Sequence, residues 1–562
     1  MKPQQAVLLA GLVLGLGLVA YGVFMMGSGA GQGAGRGATP VAAPTTGPRQ
    51  GAGATAGATP PARGPVAPGS GTFTNPAPES NQSASAEALC PGCDVVVITL
   101  CSMRRDHLGA YGGPTDLTPN LDALAAESVR FDNAWSASNF TLAGLTALLT
   151  GRFGSSTGVT GWDKGLVSDV PTLPEILGFY GYRTGAFTID APSGFRPDYG
   201  LDRGFQTMTI IPPPRDTPDG RLRQGEPGPG GQSAEPAAAW VSAQDGSGPI
   251  FVMFHSRTAH FPFVIDANAT DPTGVTQALF NAGNDRVDTD RAMPGTAGGT
   301  AQKGVVAIGK DPLQELTMAQ GEAGIQVWKD EYAKSVGRTD VDVGVLLDAV
   351  KDRGNWDRTI VVVAADHGES LGDQGEILHG DAYFDSVTHI PLMVRIPGLP
   401  AGSTNGLVGH VDILPTLLAL VGAMEPADID GVSMVPLATG TSDEIRKMTL
   451  IEGGVTLQQG PTPRGAVIAP PWALLRQDRG CGGSAAPRKP GEPAECLFNL
   501  EEDPGQTRNV ILQHPDVRER LVGSWDAFRA ARATAGQRLQ LDPEMVEELQ
   551  RTGYDFRGEA DR

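Results

Sequence analysis

The chain has 562 residues, 40% of them hydrophobic and 19% charged, which is enough to bury one large α/β domain with a smaller appendage, or two domains of similar size. Its formal charge of −20 is spread without a basic block, which argues against a nucleic-acid surface, since that needs Lys and Arg clustered against phosphates. Acidity alone names no partner.

Residues 6–26, AVLLAGLVLGLGLVAYGVFMM, form an uncharged apolar run that can cross about 30 Å of hydrocarbon as a helix. Lys2 is the only charge before it and no basic cluster follows closely, so the short tail is expected to stay in the cytoplasm and the rest to be exported. Two readings stand for residues 1–27: a transmembrane anchor or a cleaved signal sequence. The run exceeds the roughly 7 to 15 apolar residues of a signal peptide, which favours the anchor and a membrane partner. Residues 28–88 are rich in Gly, Ala and Pro and almost lack large apolar side chains, so they are expected to be a disordered linker.

The main domain is expected over residues 89–448. VVVITL (95–100) is a continuous β-branched run, the pattern of a strand buried on both faces of a parallel sheet. TPNLDALAAESV (118–129) reads as a helix with Thr118 as cap and Pro119 in the first turn. Further on, 172–181 and 341–354 read as helices, and 248–255 and 359–368 as strands. This alternation predicts an α/β fold with a doubly wound, mostly parallel sheet and helices on both faces. Two Gly- and Pro-rich stretches, about 212–235 and 283–304, interrupt it as surface loops or disordered insertions. Residues 449–562 change to short runs, with MTLIEGG, WALLRQ and ECLFNL as strands before a helix near 515–533, a smaller C-terminal α+β subdomain. Of the cysteines, Cys90, Cys93, Cys101, Cys481 and Cys496, an odd one must stay unpaired. Cys481 with Cys496 is the expected disulfide, and the CPGC at 90–93 is a local disulfide or a pair of free thiols.

The segments SMRRDHLGAYG, TPNLDALAAESVRFDNAWSAS, TLAGLTALLTGRF, LPEILGFYGYRTGAF, HSRTAHFPF, VAADHGESLGDQGEILHGDAYFDSVTHIPLMVRIPG, HVDILPTLLALVGA and LFNLEEDPGQTRNV resemble the sulfatase family in order and spacing from Val95 to Asn509. The resemblance implies an alkaline-phosphatase-like fold. It also implies a divalent metal ion (calcium, magnesium, manganese or zinc) held among carboxylates beside a nucleophile, where it depresses the nucleophile's pKa and neutralises ester oxyanions.

Asp366 and His367, after the VVVAA strand, match later metal ligands of the family, at the strand end where ligand sites belong in an open α/β sheet; the other reading of Asp366 is a helix cap in a buried turn. The first metal carboxylates of the family fall on Cys101 and Ser102, and a thiolate suits zinc better than calcium or magnesium. Asp106 matches a segment that is not the usual ligand.

The LLTG at 148–151 places Thr141 where sulfatases carry the modified Cys or Ser, with the Pro, Ser and Arg of that motif missing. A Thr cannot become formylglycine, but it resembles the nucleophile of phosphoglycerol-transferase relatives. Thr141 reads equally as a helix N-cap. His260 and His379 match histidines that contact the transferred group and protonate the leaving oxygen, work suited to a near-neutral pKa. His107, His255, His389 and His410 read as structural.

The implied function is a metal-assisted hydrolase or transferase of sulfate or phosphate esters, exported and membrane-anchored at the cell surface or in the periplasm, acting on a sulfated or phosphorylated small molecule or glycan. The alternative is a silent protein that keeps the pocket to bind anionic glycans.

Overall fold

The β-branched runs pack side by side. The structure, a computed structural model, describes residues 88–189, 194–211, 233–263, 265, 271–283, 310–380, 382–453, 464–477, 481, 495–532 and 536–539. The apolar run at 6–26, the linker up to residue 87 and most of the two Gly- and Pro-rich stretches lie outside the described residues.

The main sheet has eight strands: β1 Asp94–Leu100, β2 Val129–Phe131, β3 Arg183–Ile189, β4 Thr207–Ile211, β5 Ile250–Ser256, β6 Thr359–Ala365, β7 Leu392–Arg395 and β8 Gly402–Thr404. Their order across the sheet is β8-β2-β7-β6-β1-β5-β3-β4. Neighbours from β6 to β4 are parallel, and β7 runs antiparallel to both β6 and β2. Every residue of β1, β5 and β6 is buried, which is why these strands read as continuous apolar runs rather than as alternating ones.

The helix expected at 118–129 is Pro119–Ala125. Thr118 holds its cap position, but the hydroxyl accepts from Gly109 N–H at 3.0 Å and makes no cap bond. Leu173–Phe179 opens with a capping box in which Thr172 N–H donates to Glu175 at 2.9 Å. The helix expected at 341–354 is the last part of a 32-residue helix, Gly321–Asp352, whose polar first half hides its periodicity.

A four-stranded antiparallel sheet follows, made of β9 Thr449–Glu452, β10 Gly465–Ala469, β11 Trp472–Arg476 and β12 Glu495–Asn499. Its alternate residues divide between two faces. Ile451, Ala466, Ile468, Leu475 and Phe498 pack against Trp135, Tyr383 and Phe384, whereas Leu450, Val467, Leu474 and Leu497 pack against Trp525 and Leu521 of the helix Pro515–Arg532.

Cys481–Cys496 is a disulfide, Cys90–Cys93 forms the local one, and Cys101 is free and buried. Among the described residues no helix is long and apolar enough to cross a membrane.

Candidate active site

The carboxyl ends of β1, β5 and β6 converge on one point. Thr99 is level with His255 and Ala364, and Leu100 with Ser256 and Ala365, so the residues just beyond each strand meet. Cys101 N–H donates to Ser256 O at 2.8 Å and continues the pairing. Ser102 then turns the chain with a φ of 57°, its N–H on Asp366 Oδ1 at 3.1 Å and its carbonyl receiving the Tyr332 hydroxyl at 2.7 Å. The His367 N–H also donates to Asp366 Oδ1, at 2.8 Å.

The buried helix Thr141–Thr150 brings its first turn against this point because Gly144 has no side chain: a Cβ there would stand 2.8 Å from the Asp366 carbonyl oxygen. Phe140, not Thr141, holds the cap position, and no side-chain cap bond forms. The N-cap reading of Thr141 is thereby corrected. Its hydroxyl instead lies 3.5 Å from Cys101 Sγ and 3.3 Å from His367 Nε2.

The imidazoles have assigned partners. His367 Nδ1–H donates to Gly368 O at 2.8 Å, which leaves Nε2 as the lone-pair nitrogen facing Thr141. His379 Nδ1 is 3.0 Å from the buried Glu369 Oε1, and its ring lies 4.1 Å from that of His367 and 4.9 Å from that of His260. His260 donates through Nδ1 to Phe261 O, and Arg257 Nη2 lies 3.4 Å from its Nε2. The sequence-derived residues Cys101, Thr141, Asp366, His367, His379 and His260 thus form one continuous group.

His255 belongs with them. Cys101, His255 and Asp366 each offer a ligand atom within 4.8 Å of the others, and His367 Nε2 borders them, 3.3 Å from the Thr141 hydroxyl and 3.6 Å from Asp366 Oδ2. The apolar strand IFVMFHS makes His255 read as a core residue; only the register, which sets it beside the end of β1, reveals its position. Arg257 is a second residue the sequence reading omits.

The other histidines serve the framework. His410 accepts from Ala137 N–H and donates to Ala365 O at 2.8 Å, while His389 stacks on Trp135. Asp106 pairs with Arg104 at 2.6 Å, outside the cluster of Cys101, His255 and Asp366.

Burial governs the electrostatics. It pushes the Cys101 thiol well above its ordinary value, and the Asp366 charge adds to the rise. Burial also opposes the Asp366 charge, but His367, His255 and the nearby Thr141 and Cys101 outweigh it and bring that carboxyl down to about 2. Burial lowers His255 and His367 to about 4, and with Arg257 it holds His260 well below the usual imidazole range. At neutral pH the Asp366 carboxylate and the Arg257 guanidinium are set among the neutral imidazoles of His255, His367 and His260 and the Cys101 thiol.

A divalent cation fits this donor set. His255 Nε2 and Asp366 Oδ2 are buried without a hydrogen-bond partner, an arrangement polar atoms avoid unless a ligand completes it. Cys101, His255 and Asp366 would hold the cation, which when bound neutralises ester oxyanions beside Thr141.

A family model, Sulfatase, matches residues 94–423. The chain is 27% identical to arylsulfatase A of Bos taurus over 484 residues, 74% of this chain and 83% of that one. It is 23% identical to N-acetylglucosamine-6-O-sulfatase of Bacteroides thetaiotaomicron over 389 residues, 60% of this chain and 69% of that one. Among solved structures, a 2-O GAG sulfatase superposes with a TM-score of 0.60 at 19% identity, over 81% of this chain and 96% of that one. The phosphonate monoester hydrolase of Agrobacterium radiobacter gives 0.55 at 19% identity, over 78% and 96%.

Proposed function

The chain belongs to the sulfatase family, and from that premise we propose that it hydrolyses sulfate or phosphate esters of a sugar or glycan with Thr141 as nucleophile. The observation that carries this reading is the Thr141 hydroxyl, 3.3 Å from a lone-pair nitrogen of His367 whose other nitrogen is fixed by Gly368 O. The Thr141 oxygen attacks the sulfur or phosphorus, its proton passes to His367 Nε2, and the bond to the leaving alcohol breaks. Arg257, buried beside His260, meets the charge of the transferred group and supplies a cation that the missing Arg of the family motif does not. His379, held by Glu369, gives the leaving oxygen a proton; water then releases sulfate or phosphate from Thr141.

Export belongs to the same proposal, with residues 6–26 as anchor. Two disulfides, Cys90–Cys93 and Cys481–Cys496, support an oxidising compartment. Sulfated sugars lead the substrate classes because N-acetylglucosamine-6-O-sulfatase is among the relatives.

The test is turnover of 4-nitrophenyl sulfate and 4-nitrophenyl phosphate by the full chain. Thr141→Ala should lose on the order of 10³-fold in kcat, and Thr141→Ser should keep most of it. Equal turnover in the alanine variant would remove Thr141 from the reaction. No turnover in the unaltered chain, with retained affinity for a sulfated glycan, would leave a binding protein.

A further inference from the structure

We propose that Cys101 Sγ, His255 Nε2 and the Asp366 carboxylate form a three-donor site for a zinc-class cation. This deepens the hydrolase reading and rests on it for the use of the site, but not for its occupancy. The sulfur is the first ground. Calcium takes roughly six to eight oxygen ligands and magnesium near-ideal octahedral oxygen geometry, whereas only one of these three donors is an oxygen group. Thiolate, imidazole and carboxylate together are donors that zinc accepts, and three protein ligands with a remaining position open is the pattern of its catalytic sites.

The second ground is preparation. Thr99 Oγ1 lies 2.8 Å from His255 Nδ1 and 3.5 Å from Phe254 O. That bond holds the imidazole by Nδ1 and leaves Nε2, the buried nitrogen without a partner, facing the other two donors. Asp366 is oriented in the same way: the N–H groups of Ser102 and His367 both hold Oδ1 and leave Oδ2 unbonded and buried. Two orphaned lone pairs beside a free thiol are costly in a dry interior and become ordinary once a cation joins them.

The third ground is charge. Binding releases the thiol proton to solvent, and the resulting thiolate with the carboxylate gives a formal charge that matches a divalent ion. The Thr141 hydroxyl lies 3.5 Å from Cys101 Sγ, so site and nucleophile share one location.

Metal is stripped from the untagged full chain with a chelator, and zinc, calcium and magnesium are added back separately, read by elemental analysis and titration calorimetry. One equivalent of zinc is expected, bound at least 100-fold more tightly than calcium. Cobalt in place of zinc should show a thiolate charge-transfer band that disappears in Cys101→Ser, and His255→Ala should weaken zinc by more than the roughly 10- to 100-fold that loss of an outer-shell partner costs. If either variant fails to fold, X-ray absorption of the zinc-loaded unaltered chain decides the matter through a sulfur neighbour at about 2.3 Å.

Preference for calcium, absence of the sulfur neighbour, or undiminished zinc in Cys101→Ser would overturn the proposal. Turnover with calcium alone would discard the zinc site and leave the hydrolase reading standing. Stoichiometric zinc without turnover would do the reverse.

Discussion

Two small residues decide how the site is assembled. Thr99 touches neither metal nor substrate, yet its hydroxyl holds His255 by Nδ1 at 2.8 Å. Thr99→Val keeps the shape and removes the hydrogen bond, so zinc affinity should fall about 10- to 100-fold with little change in fold, measured by calorimetry. Gly144 acts through what it lacks. Alanine is the better helix former, but its Cβ would meet the Asp366 carbonyl at 2.8 Å, and overpacking of this kind costs about 1–3 kcal/mol. Gly144→Ala should therefore lower the denaturation midpoint and reduce turnover together, and a stabilised variant would contradict the contact. At this scale the sequence was partly readable. Cys101 and Asp366 stood out because each follows a buried strand, and Thr141 because it precedes LLTG by a known offset, while His255 was hidden by five apolar neighbours and is exposed only by cross-strand register.

Elements hold the site by fixing both ends of the central strands. At their amino end, buried Asp94 accepts from Ile250 N–H at 2.9 Å, Arg353 Nε at 3.1 Å and Asn355 Nδ2 at 2.9 Å, tying β1 to β5 and to the end of the long helix. Removing one partner of a buried pair leaves an uncompensated charge, so Arg353→Met should cost about 3 kcal/mol by urea unfolding, with KM for aryl esters unchanged because the site is at the opposite strand ends. Elements buried on both faces were the easiest to read, because a run such as VVVITL or TIVVVAA suits little else. RTGAFTI escaped because Arg183, Thr184 and Gly185 dilute its apolar signal, and β7 because nothing local states that a strand will run backwards. The long helix was cut short for a third reason: in its first half the buried stripe of Trp328, Tyr332 and Val336 is interleaved with the buried polar residues Glu331 and Ser335, which blurs the apolar period.

For the molecule as a whole, buried neutral imidazoles set an acid limit. Burial lowers His410 from an ordinary value near 6.5 to about 4, as it does His255 and His367. The unfolded chain therefore binds more protons between those values, and stability that is complete above about pH 6.5 is lost as the pH falls toward 4, by up to roughly 3 kcal/mol for each such group. The melting temperature of the metal-free chain should drop steadily across that window, and a flat profile would show these histidines to be solvated. The fold class was legible in the sequence because alternating strands and helices leave few topologies, but the sheet's far edge was not. That edge has a consequence for synthesis. The central strand β1 emerges early from the ribosome, yet its two neighbours are residues 250–256 and 359–365, and the flanking β7 and β8 end only at residue 404. Until residue 256 is made β1 has two open hydrogen-bonding flanks, and until residue 365 it still has one, along a largely apolar strand, the state most prone to pairing with another chain. A ribosome-stalled fragment ending before residue 359 should accordingly depend on chaperones, and translation speed through the intervening 100 or so codons becomes a determinant of yield.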